Sequence, residues 1–245
     1  MSRKYKFVRE TDSTNALMKE LIWTMDLPEG YVVRTDFQTK GKGQGTNRWE
    51  SAKGKNLLFS LLLRPVQIPI EEQFLVSQLV SLGIVDSLRS LAPEQAKEFS
   101  IKWPNDIYWH NQKVAGILIE NTWQGRKIAT SVIGTGLNVN QKKFYSDAPN
   151  PVSLFQIFGL KFNRRTLLNA ILEAIEGYYL QQDKEIIKNN YHQSLFRNDG
   201  FYSYRTGNRI FDAEIVEVAN DGRLILKEKT GEISGYYFKE VEFIL

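Results

Sequence analysis

The sequence predicts an α+β protein: a mixed β-sheet packed with helices, followed by a separate group of short strands. Three features carry this. The run NLLFSLLL at residues 56–63 is apolar almost throughout, as a strand covered on both faces must be. Residues 70–91 and 164–180 repeat apolar side chains at helical spacing, at Phe74, Leu75, Leu79, Leu82 and Leu88 and at Leu167, Leu168, Ile171, Leu172 and Ile175. From Asp199 the pattern switches to short alternating runs broken by glycine turns. A chain of 245 residues has room for one large unit and one small one.

Residues 5–9 read as a strand. Thr11-Asp12-Ser13-Thr14-Asn15 then offers N-caps for a helix over 16–24, and capping needs only one of these side chains, so hydroxyls and an amide are left over for a ligand. Strands at 31–37 and 56–63 lead into and out of the stretch DFQTKGKGQGTNRWESAKGK, where Gly41, Gly43, Gly45 and Gly54 alternate with Lys40, Lys42, Arg48, Lys53 and Lys55. Glycine lets backbone N–H groups approach a ligand closely and the cations favour an anion, so this reads as an anion-binding loop, with a flexible, solvated surface loop as the alternative from this stretch alone. It has neither the Gly-Lys-Ser/Thr ending of a P-loop nor G-x-G-x-x-G spacing.

After the helix at 70–91, a strand at 99–103 ends at Pro104 and the chain turns at Asn105-Asp106. Residues 107–109 and 113–120 form a hairpin in which Gly116 removes a side chain from mid-strand, a mark of close approach by a ligand or another backbone. A strand at 127–139 follows, then a proline loop, a short helix or turn at 153–158, and helices at 164–180 and 184–195. Five short strands after Asp199, with turns at Gly207-Asn208, Asn220-Asp221-Gly222 and Thr230-Gly231, predict a small SH3-like barrel, and the expected units are 1–197 and 198–245.

The net charge of +4 and pI near 9.0 are mildly basic and spread along the chain, so no nucleic-acid partner is indicated. With no cysteine, thiolate chemistry and disulfides are excluded, and with only His110 and His192 a multi-histidine metal centre or a histidine-based triad has little to work with. There is no signal-like N-terminus and no apolar run of about 18 residues, so a cytoplasmic protein without a membrane span is expected.

TDSTN, the glycine loop, Lys102-Trp103-Pro104-Asn105-Asp106 with Lys113-Val114-Ala115-Gly116, and Gly134-Thr135-Gly136-Leu137-Asn138, in this order and spacing, resemble the biotin protein ligases. KWPNDI followed by KVAGILIE is the most specific part, and the motifs span residues 8–140. The resemblance implies a catalytic fold similar to class II aminoacyl-tRNA synthetases, with an SH3-like module at the end. It also implies an ATP-dependent ligase that converts biotin to biotinyl-5′-AMP and transfers it to a lysine of a biotin carboxyl carrier protein. ATP with Mg²⁺ and biotin are then the ligands, no prosthetic group is required, and a homodimer is compatible with the family.

Carried over residue by residue, the resemblance implies Lys113, Lys42 and Asp106 as catalytic groups. Lys113 leads, because a carboxylate meeting a phosphate needs a cation between them. Asp106 either holds Mg²⁺ indirectly or accepts the proton of the incoming lysine. Ser13, Thr14, Asn15, Gln38, Gly41, Lys42, Gln44, Lys113 and Gly116 match positions around biotin. Lys42, Arg48, Trp49, Asn105, Asp106, Ile117, Gly136 and Asn138 match positions around ATP, with Trp49 stacking on adenine. The metal ligands are left open.

Two departures from the family pattern stand out. Gly41-Lys42-Gly43-Gln44 replaces the usual Gly-Arg-Gly-Arg, which loses one charge at Gln44 and leaves Arg48 as a substitute. No helix-turn-helix segment precedes Tyr5, so the repressor role of longer relatives is not expected. Competing readings are a lipoate or octanoyl ligase, against which the KWPND and glycine-loop pairing argues, and a non-enzymatic nucleic-acid binder, supported only by the basic pI and scattered aromatics.

Overall fold

The structure, a computed structural model, describes residues 4–146, 149–181 and 183–245. Its first layer is a seven-stranded sheet: β1 (Tyr5–Val8), β2 (Val32–Thr35), β3 (Leu57–Leu63), β4 (Phe99–Lys102), β5 (Asp106–Trp109), β6 (Gln112–Gln124) and β7 (Lys127–Leu137). The strand order is β1-β2-β3-β7-β6-β5-β4, with β1 parallel to β2 and every other pair antiparallel. The mixed sheet expected from the sequence is therefore present.

All of β3 is buried, because its two faces meet different helices. Leu62 packs with Met18 and Leu21 of α1 (Thr14–Thr24), while Leu57, Phe59, Leu61 and Leu63 belong to the larger core. That core is built on α2 (Phe74–Leu91) and α4 (Arg164–Leu180). The two helices come very close at Gly83, where an added Cβ would lie 2.7 Å from the Ile175 nitrogen. By length and composition Ile70–Leu91 would suit a membrane span, but it is mostly buried as the central core helix.

Helix α3 (Leu154–Phe158) opens with a capping box between Ser153 and Gln156, and α4 is capped by Asn163. Helix α5 (Lys184–Gln193) is capped by Asp183. The β6–β7 hairpin runs further than its apolar stretch, to Gln124, because polar residues pair across it: Ser131 donates to Asn121 at 2.7 Å and the hydroxyls of Thr122 and Thr130 lie 2.6 Å apart. Helix α2 starts later than expected, after a separate 3-10 turn at Ile70–Glu72.

The C-terminal strands are β8 (Tyr202–Thr206), β9 (Arg209–Val218), β10 (Leu224–Glu228), β11 (Ile233–Tyr236) and β12 (Glu242–Phe243). They form one antiparallel sheet ordered β11-β10-β9-β8-β12. Its core is continuous with that of the large sheet. Trp103 makes the junction, donating its indole N–H to the Gly222 carbonyl at 3.0 Å and packing its ring against Phe238. Arg197 bonds the Ile244 carbonyl at 2.6 Å, and Phe196 stacks obliquely on Phe243.

Candidate active site

A cavity of about 690 Å³ lies over one face of β6 and β7, of the size that takes a small organic ligand. Its floor follows from two glycines. Gly116 and Gly136 are direct partners across the β6–β7 ladder, and their missing side chains leave a slot in the sheet. The Trp49 indole fills it: a Cβ at Gly136 would fall 2.4 Å from the ring and one at Gly116 2.8 Å from it. The close approach signalled by Gly116 is thus made by a side chain of the glycine loop. The Trp49 indole N–H is buried without a hydrogen-bond partner.

The loop is folded as a small hairpin. The Trp49 backbone N–H donates to the Gly41 carbonyl at 3.0 Å, the Gly43 N–H to the Asn47 carbonyl at 2.8 Å, and Lys42 and Arg48 face each other across the bridge. Gly45 turns the tip with a φ of 65°, which favours glycine. Lys42 and Arg48 line the cavity, both exposed and neither paired with an acid among the described residues. Gln44 also lines the cavity and donates its amide to Asn105 Oδ1 at 3.1 Å.

Beneath α1, the polar run behaves as the excess over capping suggested. Ser13 takes the N-cap position without a side-chain cap bond, so its buried hydroxyl remains for the cavity. The Thr14 N–H and hydroxyl both donate to Gln38 Oε1, at 2.8 and 3.0 Å, which fixes that amide with its N–H₂ group directed elsewhere. Asn15 is committed to the sheet. Its Oδ1 accepts from Ser60 at 2.6 Å, and its amide donates to Glu120 at 2.8 Å and to the Leu118 carbonyl at 3.2 Å.

At the far end, the three-residue turn Trp103-Pro104-Asn105 places Lys102 opposite Asp106. Lys113 forms an ion pair with Asp106 at 2.6 Å, and its ammonium lies 5.6 Å from the Trp49 ring centroid. Asn138 is buried, with its Oδ1 left without a partner, so the cavity keeps one unsatisfied acceptor there. Ile117 is buried in the core cluster and also lines the cavity. Of the residues matched from the sequence, Gly41 alone is not in the wall; it is buried against Trp49 and Gln38.

Several wall residues carried no assigned role in the sequence reading. Lys102 lies within reach of the Tyr108 and Phe243 rings, at 5.2 and 5.3 Å, and burial pushes its ammonium pKa down, with Lys113 adding to the effect and Asp106 opposing it. Its signal was its place in KWPND. Glu50, Tyr145 and Phe238 also line the cavity, and no local pattern marks them. Phe238 shows that the C-terminal sheet closes one side, where Lys239 also packs over Gly45.

A profile of the Biotin/lipoate A/B protein ligase family matches residues 7–138, the segment that builds the sheet and this cavity. The chain belongs to that family. It is 30% identical over 226 residues to the bifunctional ligase/repressor BirA of Bacillus spizizenii, covering 88% of this chain and 66% of that one. It is 29% identical over 182 residues to the biotin--[acetyl-CoA-carboxylase] ligase of Mycobacterium tuberculosis, covering 73% of this chain and 65% of that one. The matched segments therefore span just under two thirds of these relatives. Its fold is that of the biotin protein ligase of Aquifex aeolicus solved with biotin and ATP, with a TM-score of 0.79 at 23% identity over 98% of this chain and 97% of the other.

Proposed function

We propose that this protein is a biotin protein ligase. In the first step a biotin carboxylate oxygen attacks the α-phosphorus of ATP, the bond to the β,γ-diphosphate breaks, and biotinyl-5′-AMP and pyrophosphate form. In the second, the amine of a carrier-protein lysine attacks the acyl carbon, AMP leaves, and the amine gives up a proton. The observation that carries the reading is one cavity holding a buried polar pocket at Ser13, Thr14 and Gln38, an indole at Trp49 and the Lys113–Asp106 pair.

In this reading Lys113 offsets the repulsion between carboxylate and phosphate and Lys42 adds a second cation. The Ser13 hydroxyl and the free amide of Gln38 meet the ureido ring of biotin, and Asn138 accepts from the adenine amine. Asp106 receives the proton of the attacking lysine as Lys113 turns to the phosphate. Gly41 and Asn15 hold the loop and the sheet in shape, and Arg48 and Gln44 lie at the nucleotide side.

Among the described residues no three Asp, Glu or His side chains gather to hold a metal. That donor set suits a Mg²⁺ ion brought by the ATP phosphates, with the Asp106 carboxylate in the same cavity able to hold it indirectly; the ion would neutralise phosphate charge. The acceptor is a biotin carboxyl carrier domain. The cytoplasmic location, the SH3-like character of the C-terminal sheet, and the division at residues 197 and 198 belong to the same proposal.

The test is incubation with biotin, Mg-ATP and a carrier domain, followed by mass spectrometry of the acceptor, with lipoate in a parallel arm. A biotin adduct on the carrier supports the reading. Modification by lipoate alone, or by neither acid, overturns it.

A further inference from the structure

Glu50 follows the loop tryptophan, and its carboxylate crosses to the segment after β7. It accepts from the Tyr145 N–H at 3.1 Å to Oε1 and 3.0 Å to Oε2, from the Ser146 N–H at 2.6 Å, and from the Gln141 amide at 3.0 Å. Gln141 is buried and reaches back, accepting from the Ala52 N–H at 2.8 Å and the Asn56 amide at 2.6 Å. Glu50, Phe144, Tyr145 and Ser146 all line the cavity. Burial raises the Glu50 pKa, but the bonds from Ser146, Tyr145 and Gln141 outweigh it and hold the carboxyl below the usual carboxylate range.

We propose that Glu50 is a positioning residue that ties the glycine loop to the 141–146 wall, so that folding the loop over the first substrate also builds the nucleotide side of the cavity. The inference rests on the reading of this cavity as a site for biotin and ATP. Backbone N–H groups that bond one carboxylate are held together by a charge-assisted interaction. A polar contact confined to the rim would need no such convergence of the Gln141 amide and the Tyr145 and Ser146 N–H groups on one side chain. Because coupling between sites is reciprocal, whichever segment orders first lowers the cost of ordering the other.

The test is Glu50→Gln, which keeps the size of the side chain but turns one acceptor oxygen into a donor facing N–H groups. Lys142 and Lys143 are exposed beside the tie, so trypsin cleavage there, mapped by mass spectrometry, reads the wall without reference to activity. Cleavage at these lysines is expected to be several-fold faster in the variant. The KM for ATP is expected to rise about fivefold or more, the lower end of typical coupling, while the KM for biotin stays within about twofold. Glu50→Asp, which keeps the charge at a shorter reach, should fall between the two, and it takes the decision if Glu50→Gln does not fold.

Wild-type cleavage in Glu50→Gln, or an equal rise in both KM values, overturns the proposal. If the unaltered protein makes no biotinyl-AMP, the functional reading fails, while the cleavage arm still decides whether Glu50 holds the wall.

Discussion

Replacing Lys113 by alanine separates chemistry from stability more cleanly than any other single change in the cavity. The Lys113 and Asp106 side chains are 26% and 29% exposed and 2.6 Å apart. Exposed pairs contribute about 0–1 kcal/mol and breaking a fully buried pair costs about 3–5 kcal/mol, so a pair still reached by solvent should cost about 1 kcal/mol when broken. For a chain of this size that lowers Tm by about 2–4 °C. Removing a charge-stabilising group from a reacting centre costs far more, about 100- to 1000-fold in rate. The assay is single-turnover formation of biotinyl-AMP from biotin and Mg-ATP, read by mass spectrometry, beside a thermal melt. Lys113→Ala should melt within a few degrees of the parent and make almost no adenylate. Adenylate at near the parental rate would refute the placement of Lys113 at the reacting atoms, and collapse of the fold would refute the energetic argument.

Gly136→Ala should expel the indole from its slot, since the new Cβ falls 2.4 Å from the Trp49 ring; adenylate formation should drop at least about tenfold with a shift in tryptophan fluorescence, and an unchanged spectrum would count against the slot. Phe238→Ala removes the C-terminal sheet's aromatic wall, so the KM for ATP should rise more than that for biotin in steady-state kinetics. Biotin should tighten binding of a non-hydrolysable ATP analogue and slow protease cleavage within residues 40–55, both read directly; equal affinity with unchanged cleavage would remove the lid role of the loop.

Alkaline stability should follow the buried tyrosines. The Tyr178 phenol is pushed up to about 12 by burial and by its hydrogen bond to Asp86. A pKa raised in the folded state contributes stability fully present below the unfolded value near 10 and lost as pH rises toward 12. Urea midpoints should therefore decline over that window, and less steeply in Tyr178→Phe.

What the sequence determined was whatever depends on near neighbours. The apolar NLLFSLLL run, the helical spacing in α2 and α4 and the glycine turns of the C-terminal strands each follow from local sterics or burial, and the structure has all of them. The surplus of polar side chains in TDSTN was also legible, because helix capping has a fixed demand and the run exceeds it. Tertiary structure alone decided which of them were free: Asn15 is consumed by Ser60 and Glu120 from other strands, whereas the Ser13 hydroxyl is not.

It also decided what occupies the space above Gly116. A missing side chain announces an approach without saying by what, and the ladder that sets Gly116 beside Gly136 is closed by residues about twenty positions apart. Glu50 meets the segment after β7, some ninety residues on, and Phe238 comes from the C-terminal strands, so no local spacing marks either role. Hydrogen bonds and packing between distant segments form only once the sheets and helices have docked, and that is where the identity of a side chain's partner is settled.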